Sequence, residues 1–106
     1  AVKETNGKVN AIWVDTDGYT SAPEYKDVIV TSVVKGMDVA VLDVIKAAKD
    51  GSFSSDPYVG TLKNKGVDLS EFHDFDSKVP AETKSELEQI RADIISGKIT
   101  VETTVR

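Results

Sequence analysis

The apolar positions of the chain fall into short β-branched runs that give way to stretches of helical period. Ala11-Ile12-Trp13-Val14 sets four residues able to face a packed interior side by side, and the run stops at Asp15-Thr16-Asp17-Gly18. A continuous apolar run cut off by Asp and Gly predicts a strand of a parallel sheet whose carboxyl end emerges at the surface. Residues 19–26 are polar and punctuated by Pro23, which predicts a loop. Val28-Ile29-Val30-Thr31-Ser32-Val33-Val34, rich in β-branched residues, predicts a second buried strand that Lys35-Gly36 ends. The period then changes. Met37, Ala40, Val41, Val44, Ile45 and Ala48 recur at helical spacing through Lys49, and Gly51 is placed to terminate the helix. A short strand is predicted over residues 58–62 after Pro57, and one or two more over residues 67–75, with Gly66 in the turn between. Pro80 opens a second helix with Leu87, Ile90 and Ile94 on one face, Glu82 and Glu86 early where the helix dipole favours acids, and Gly97 as a stop. Residues 99–101 read as a last strand and residues 102–106 as a frayed tail. The fold class is therefore α/β, with a parallel-rich sheet flanked by helices.

Size and charge narrow what such a sheet can do. A chain of 106 residues makes one domain with a modest core. The net charge of −5 disfavours nucleic-acid binding that relies on neutralising phosphates, and no basic stripe offsets it. There is no cysteine, hence no disulfide framework, no thiolate nucleophile and no Cys-ligated metal. No apolar stretch approaches the roughly 20 residues that cross a bilayer. Ala1 to Thr5 followed by Asn6-Gly7 resembles the last turn of a helix with its left-handed cap, so the chain is expected to begin inside a larger protein.

Three constellations carry candidate chemistry. Ligands of open α/β sheets bind just beyond the carboxyl ends of the strands, which makes Asp15 the first residue to ask about. The plainer reading is a turn acid closing a strand. Asp15-Thr16-Asp17-Gly18 also looks like the opening motif of haloacid-dehalogenase-type phosphatases, with Asp15 as nucleophile, Asp17 handling the proton, and Thr31 or Ser32 and Lys35 cast as phosphate-binding residues. Such enzymes end with paired acids after another apolar strand to hold magnesium. Here the late acids Asp74 and Asp76 sit in an aromatic loop without that context. Glu71-Phe72-His73-Asp74-Phe75-Asp76 holds the only histidine among acids, but one His with loop acids supplies a metal poorly. An edge strand with its acids in water is the expectation there. The third constellation is Lys35, at the end of a buried strand that neighbours the one ending in Asp15.

Four separated segments, in order, carry a wider resemblance. Trp13-Val14-Asp15-Thr16-Asp17, then Thr31-Ser32-Val33-Val34-Lys35 with Asp38-Val39-Ala40-Val41, then Phe72-His73-Asp74-Phe75-Asp76-Ser77-Lys78-Val79-Pro80, and finally Ile94-Ile95-Ser96-Gly97-Lys98-Ile99 together resemble the C-terminal part of the basic membrane protein family. These are the substrate-binding lipoproteins of ABC transporters that include purine nucleoside receptors. The resemblance implies a periplasmic-binding-protein fold of the first type, with two lobes closing on a solute and residues 1–106 supplying a C-terminal fragment. It implies no catalysis, no cofactor and no metal. Asp15 is expected to reach the sugar hydroxyls of the solute, Lys35 to line the cleft on the ribose side, and Asp17 to act behind them or shape the loop. The implied partners are a purine nucleoside or related solute and an ABC permease, with an extracytoplasmic location through an N-terminal lipid anchor outside this chain. Helix faces left bare by the severed core imply that the isolated chain self-associates. Trp13 departs from the family, where a small residue is usual, and Thr16-Asp17-Gly18 departs from the commoner Ser-Asp-Gln. A ligand-sensing regulatory domain of the same fold is the remaining alternative, because fold and cleft do not dictate output.

Overall fold

The computed structural model describes residues 2–5 and 7–102. A three-stranded sheet in the order β1-β2-β3 forms its centre, with β1 at Ala11–Asp15, β2 at Ile29–Lys35 and β3 at Val67–Leu69. β1 runs parallel to β2, with Trp13 opposite Ser32 and Asp15 opposite Val34. β3 runs antiparallel to the far end of β2, Val67 opposite Lys35. The sheet is thus mixed, with one parallel pair where a parallel-rich sheet was expected. Helix α2, Met37–Lys49, follows β2 directly, and α3, Ala81–Ile95, is the last regular element of the described chain. Gly51 and Gly97, just past their ends, hold φ of +73° and +80°, as left-handed helix stops do.

β2 is the buried strand. Ile29, Thr31 and Ser32 are buried, and with Ala22, Val28 and Phe75 they make up the core. β1 forms where the apolar run predicts it but lies at the sheet edge, leaving Ile12 67% and Val14 60% exposed. The expected burial of both its faces is therefore corrected. Ser32 is the polar centre of this small core. Its Oγ accepts the Gly18 N–H at 3.0 Å, its own N–H donates to Ser70 Oγ at 2.9 Å, and the Ser70 N–H donates to its carbonyl at 2.8 Å. Thr31 Oγ1 adds a bond to the Ser70 carbonyl at 2.9 Å, so one serine after β3 knots that segment onto β2.

Four further expectations are corrected. Residues 19–26 are not plain loop: Gly18–Ser21 forms a single helical turn, α1, and Pro23–Tyr25 a 3₁₀ turn. Asp17 is the reason, because its Oδ1 accepts the Tyr19 N–H at 3.1 Å and so caps α1 rather than merely turning the chain. Residues 58–62 form no strand, since Asn64 bonds the Thr61 N–H at 2.7 Å and the Val59 carbonyl at 3.0 Å in place of a neighbouring strand. Extension beyond Leu69 fails as well. His73–Lys78 is a 3₁₀ turn that buries Phe75, not an edge strand. Residues 99–101 are irregular, with the Ile99 N–H donating to the Asp93 carbonyl at 3.0 Å. At the start, Val2–Thr5 is a 3₁₀ turn and Gly7 has φ +78°, while the Asn6 cap and the tail from residue 103 lie outside the described residues.

The molecule is open. Its radius of gyration is 16.8 Å, against the roughly 13 Å of a compact domain of this length. No residue of α2 or α3 is buried, and Met37, Val41, Leu42 and Ile45 of α2 are all more than half exposed. α3 is held to the body by charge, Lys84 to Asp76 and Arg91 to Asp68, each at 2.6 Å. Stability therefore rests disproportionately on the β2 centre. Ser32→Val, which leaves the Gly18 N–H unpaired in a buried place, is expected to destabilise the fold by about 1–3 kcal/mol in chemical denaturation. A loss below about 0.5 kcal/mol would show that the tether does not hold the α1 turn.

Candidate functional site

Parallel strands deliver their carboxyl ends to the same edge of a sheet, and the pairing of Asp15 with Val34 brings the last residue of β1 one step from the last residue of β2. Strand alternation alone would set Asp15 on the face of Val34 and away from Lys35. The alternation is broken at the final residue, because Asp15 has φ +76°. In that left-handed conformation its Oδ1 lies 2.6 Å from Lys35 Nζ. The two side chains are 58% and 59% exposed, so the pair faces outward and is open to a solute. The ion pair engages one carboxylate oxygen and one of three ammonium protons, and each group keeps capacity for further hydrogen bonds.

The left-handed residue makes the chain double back. β1 climbs to the level of Val34, yet Gly18, only three positions later, bonds Ser32, two levels lower and opposite Trp13. Trp13 lies against Gly18 so closely that a Cβ there would sit 2.6 Å from the indole Cγ. Trp13 and Gly18 are therefore in contact: the indole occupies the space a side chain at position 18 would take.

Asp17 stands in the middle of this return. One carboxylate oxygen caps α1 and the other lies 2.7 Å from His73 Nε2, with both side chains about three-quarters buried. The Tyr19 ring stacks on the imidazole at 4.2 Å between centroids and 14° between planes, and its hydroxyl donates to Asp74 at 3.2 Å. Thr16 and Ser21 join hydroxyls across the turn at 2.9 Å. Of the predicted residues, then, Asp15 and Lys35 come together at the strand ends and Asp17 stands behind them in the loop. Sequence reading missed His73, Tyr19 and Ser32 as supports of this loop. His73 and Tyr19 belong to bonds spanning 56 and 55 positions, for which no local pattern exists.

As a phosphatase centre the arrangement is poor. Asp17, cast there as the proton-handling acid, has both oxygens engaged, while Asp74 is bonded by Tyr19 and Asp76 is paired with Lys84. Among the described residues no three His, Asp or Glu side chains converge as metal ligands. A carboxylate beside an ammonium on an exposed rim instead suits a polyhydroxylated solute, whose vicinal hydroxyls donate to the acid while the cation donates to an oxygen.

Comparison with known proteins bears on the same residues. Residues 1–104 match the family of ABC transporter substrate-binding proteins described as PnrA-like. The ABC transporter nucleoside-binding protein BmpA of Lactococcus lactis subsp. cremoris (strain MG1363) is 34% identical to the chain over 106 aligned positions, which take in 93% of this chain and 29% of that protein. The chain thus spans less than a third of the length of the curated relative it matches.

A non-glycine residue held left-handed costs stability, and an exposed ion pair returns little of it. Asp15→Gly is accordingly expected to be at least as stable as the parent chain, and Asp15→Ala to be less stable than Asp15→Gly by about 1 kcal/mol in thermal or urea unfolding. Lys35→Met is expected to shift stability by less than about 1 kcal/mol. A larger loss from Lys35→Met would mean that the pair serves the fold.

Proposed function

Because the chain belongs to the family of PnrA-like ABC transporter substrate-binding proteins, we propose that it forms one wall of a solute cleft and that the solute is a purine nucleoside. The family has the type I periplasmic-binding-protein-like fold, and the chain contributes to it an α/β sheet flanked by helices. Its members are substrate-binding proteins, typically without enzymatic activity. The observation that carries the reading is the Asp15–Lys35 pair, open to solvent at two adjoining strand ends. Asp15 accepts hydrogen bonds from the two ribose hydroxyls, and Lys35 offsets the charge and donates to a sugar oxygen. The name of the Lactococcus relative, a nucleoside-binding protein, supports the choice of solute. In this reading the chain is the C-terminal part of a two-lobed domain, anchored outside the membrane by lipid and serving an ABC permease. The phosphatase alternative has no comparable support in the site.

Grafting tests the reading. The Lactococcus relative carrying this chain in place of its matching segment is expected to bind inosine or adenosine. Asp15→Asn or Lys35→Met in the graft should each weaken binding by about 10- to 100-fold, the worth of a charge-assisted hydrogen bond. A folded graft whose affinity ignores both changes would refute the assignment.

The chain alone presents half a cleft and cannot desolvate a nucleoside, so calorimetric titration is expected to show no micromolar binding. The bare face of α2, with Met37, Val41, Leu42 and Ile45 exposed, is expected to drive self-association. Light scattering that stays monomeric at millimolar concentration would count against that.

A further inference from the structure

Among the described residues three non-glycines hold positive φ, Asp15 at +76°, Lys65 at +59° and His73 at +44°, and the first and last of these are linked through Asp17. They lie on segments far apart in sequence, one at the end of β1 and one opening the 3₁₀ turn after β3. The contact between Asp17 and His73 Nε2 joins those segments. Residues in sparsely populated conformations persist only where their surroundings over-determine them, and they gather at ligand clamps. Both are of types that tolerate this region better than most, which suits positions whose conformation is required. We infer that His73 is a positioning residue: through Asp17 it braces the doubled-back loop and so holds Asp15 where its carboxylate meets Lys35 and the solute. The last clause rests on the function proposed above; the brace itself does not.

The geometry explains why a brace is needed. Beyond Asp15 the loop leaves the ladder, and two anchors fix its return. One is Ser32 Oγ under Gly18 at 3.0 Å. The other is His73, which grips the one residue lying between Thr16 and Gly18, at 2.7 Å. The Ser32 tether sets how far the chain doubles back, whereas the His73 contact sets the direction of residues 15–17 above the sheet. Tyr19 holds the imidazole plane by stacking at 4.2 Å, and its hydroxyl is fixed in turn by Asp74. His73 is thus immobilised on its face and at its ring nitrogen, as a positioning group must be.

The brace is tested on this chain by solution NMR, without ligand. Asp15 should give the strong intraresidue amide-to-Hα cross-peak that positive φ produces. Asp17→Ser keeps a competent helix cap but is too short to reach His73, and His73→Phe keeps a ring for Tyr19 but has no N–H. Both are expected to lose the Asp15 cross-peak while the β2–β3 amide signals stay in place. Asp17→Asn is expected to keep it, its oxygen capping α1 and its amide N–H donating to His73 Nε2. In the nucleoside-binding graft, His73→Phe should weaken binding about tenfold on its own and add nothing to Asp15→Asn, as coupled positions do. An undiminished Asp15 cross-peak in Asp17→Ser or His73→Phe would overturn the inference, and so would additive losses in the graft. A graft that ignores Asp15→Asn while the cross-peak behaves as expected would instead refute the nucleoside reading alone.

Discussion

The parallel pairing of β1 with β2 is the constraint on which the rest depends. Its register, Asp15 opposite Val34, is what puts a carboxylate and an ammonium at the same edge of the sheet without either being specified by a local motif. A slip of one residue would turn each side chain of β1 to the other face. The register is in turn secured from below. Ile29, Thr31 and Ser32 bury the first half of β2, the most buried strand among the described residues, and Ser32 ties both the return of the β1 loop and the exit of β3 to it. Burial of a hydroxyl is tolerable only when it is bonded, and that requirement gives the serine its specificity.

Above this base the chain accepts unfavourable local structure. Asp15 sits left-handed at a strand end where a glycine is better suited, and its ion pair is too exposed to offset the cost. Conflict between local preference and overall fold is what functional positions show, because selection on the ligand outweighs selection on stability there. Trp13 and Gly18 illustrate the opposite case. The large side chain in β1 and the missing one in α1 compensate for each other, so the loop doubles back across an indole without collision.

Much of this was legible from residues alone. The β-branched run gave β2, and the change of period at Met37 gave α2 with its observed ends, Met37 and Lys49. Pro80 and Gly97 bracketed α3. Asp15 and Lys35 were legible as neighbours because both close apolar strands. What escaped was set by side chains acting at a distance or against the local trend. Asp17 and Gly18 carry turn and helix-cap signals in the same letters, and the cap prevailed. Asn64 supplied the backbone partners that residues 58–62 were expected to find in a strand. The pattern around Phe72 and His73 reads as alternation, yet burial of Phe75 and the left-handed His73 turn it into a 3₁₀ segment. The brace of His73 on Asp17 was invisible for the same reason, since it exists only once β3 has been laid beside β2.

Membership in a family of transporter binding proteins supports the proposal that this sheet edge meets a bound sugar, and the place of that sugar decides it. A crystal structure of the grafted Lactococcus protein with inosine bound tests it most directly. The account predicts both ribose hydroxyls within hydrogen-bond distance of the Asp15 carboxylate, with the Lys35 ammonium on an adjacent sugar oxygen. A ribose held elsewhere, with Asp15 and Lys35 still paired to each other in open solvent, would contradict it.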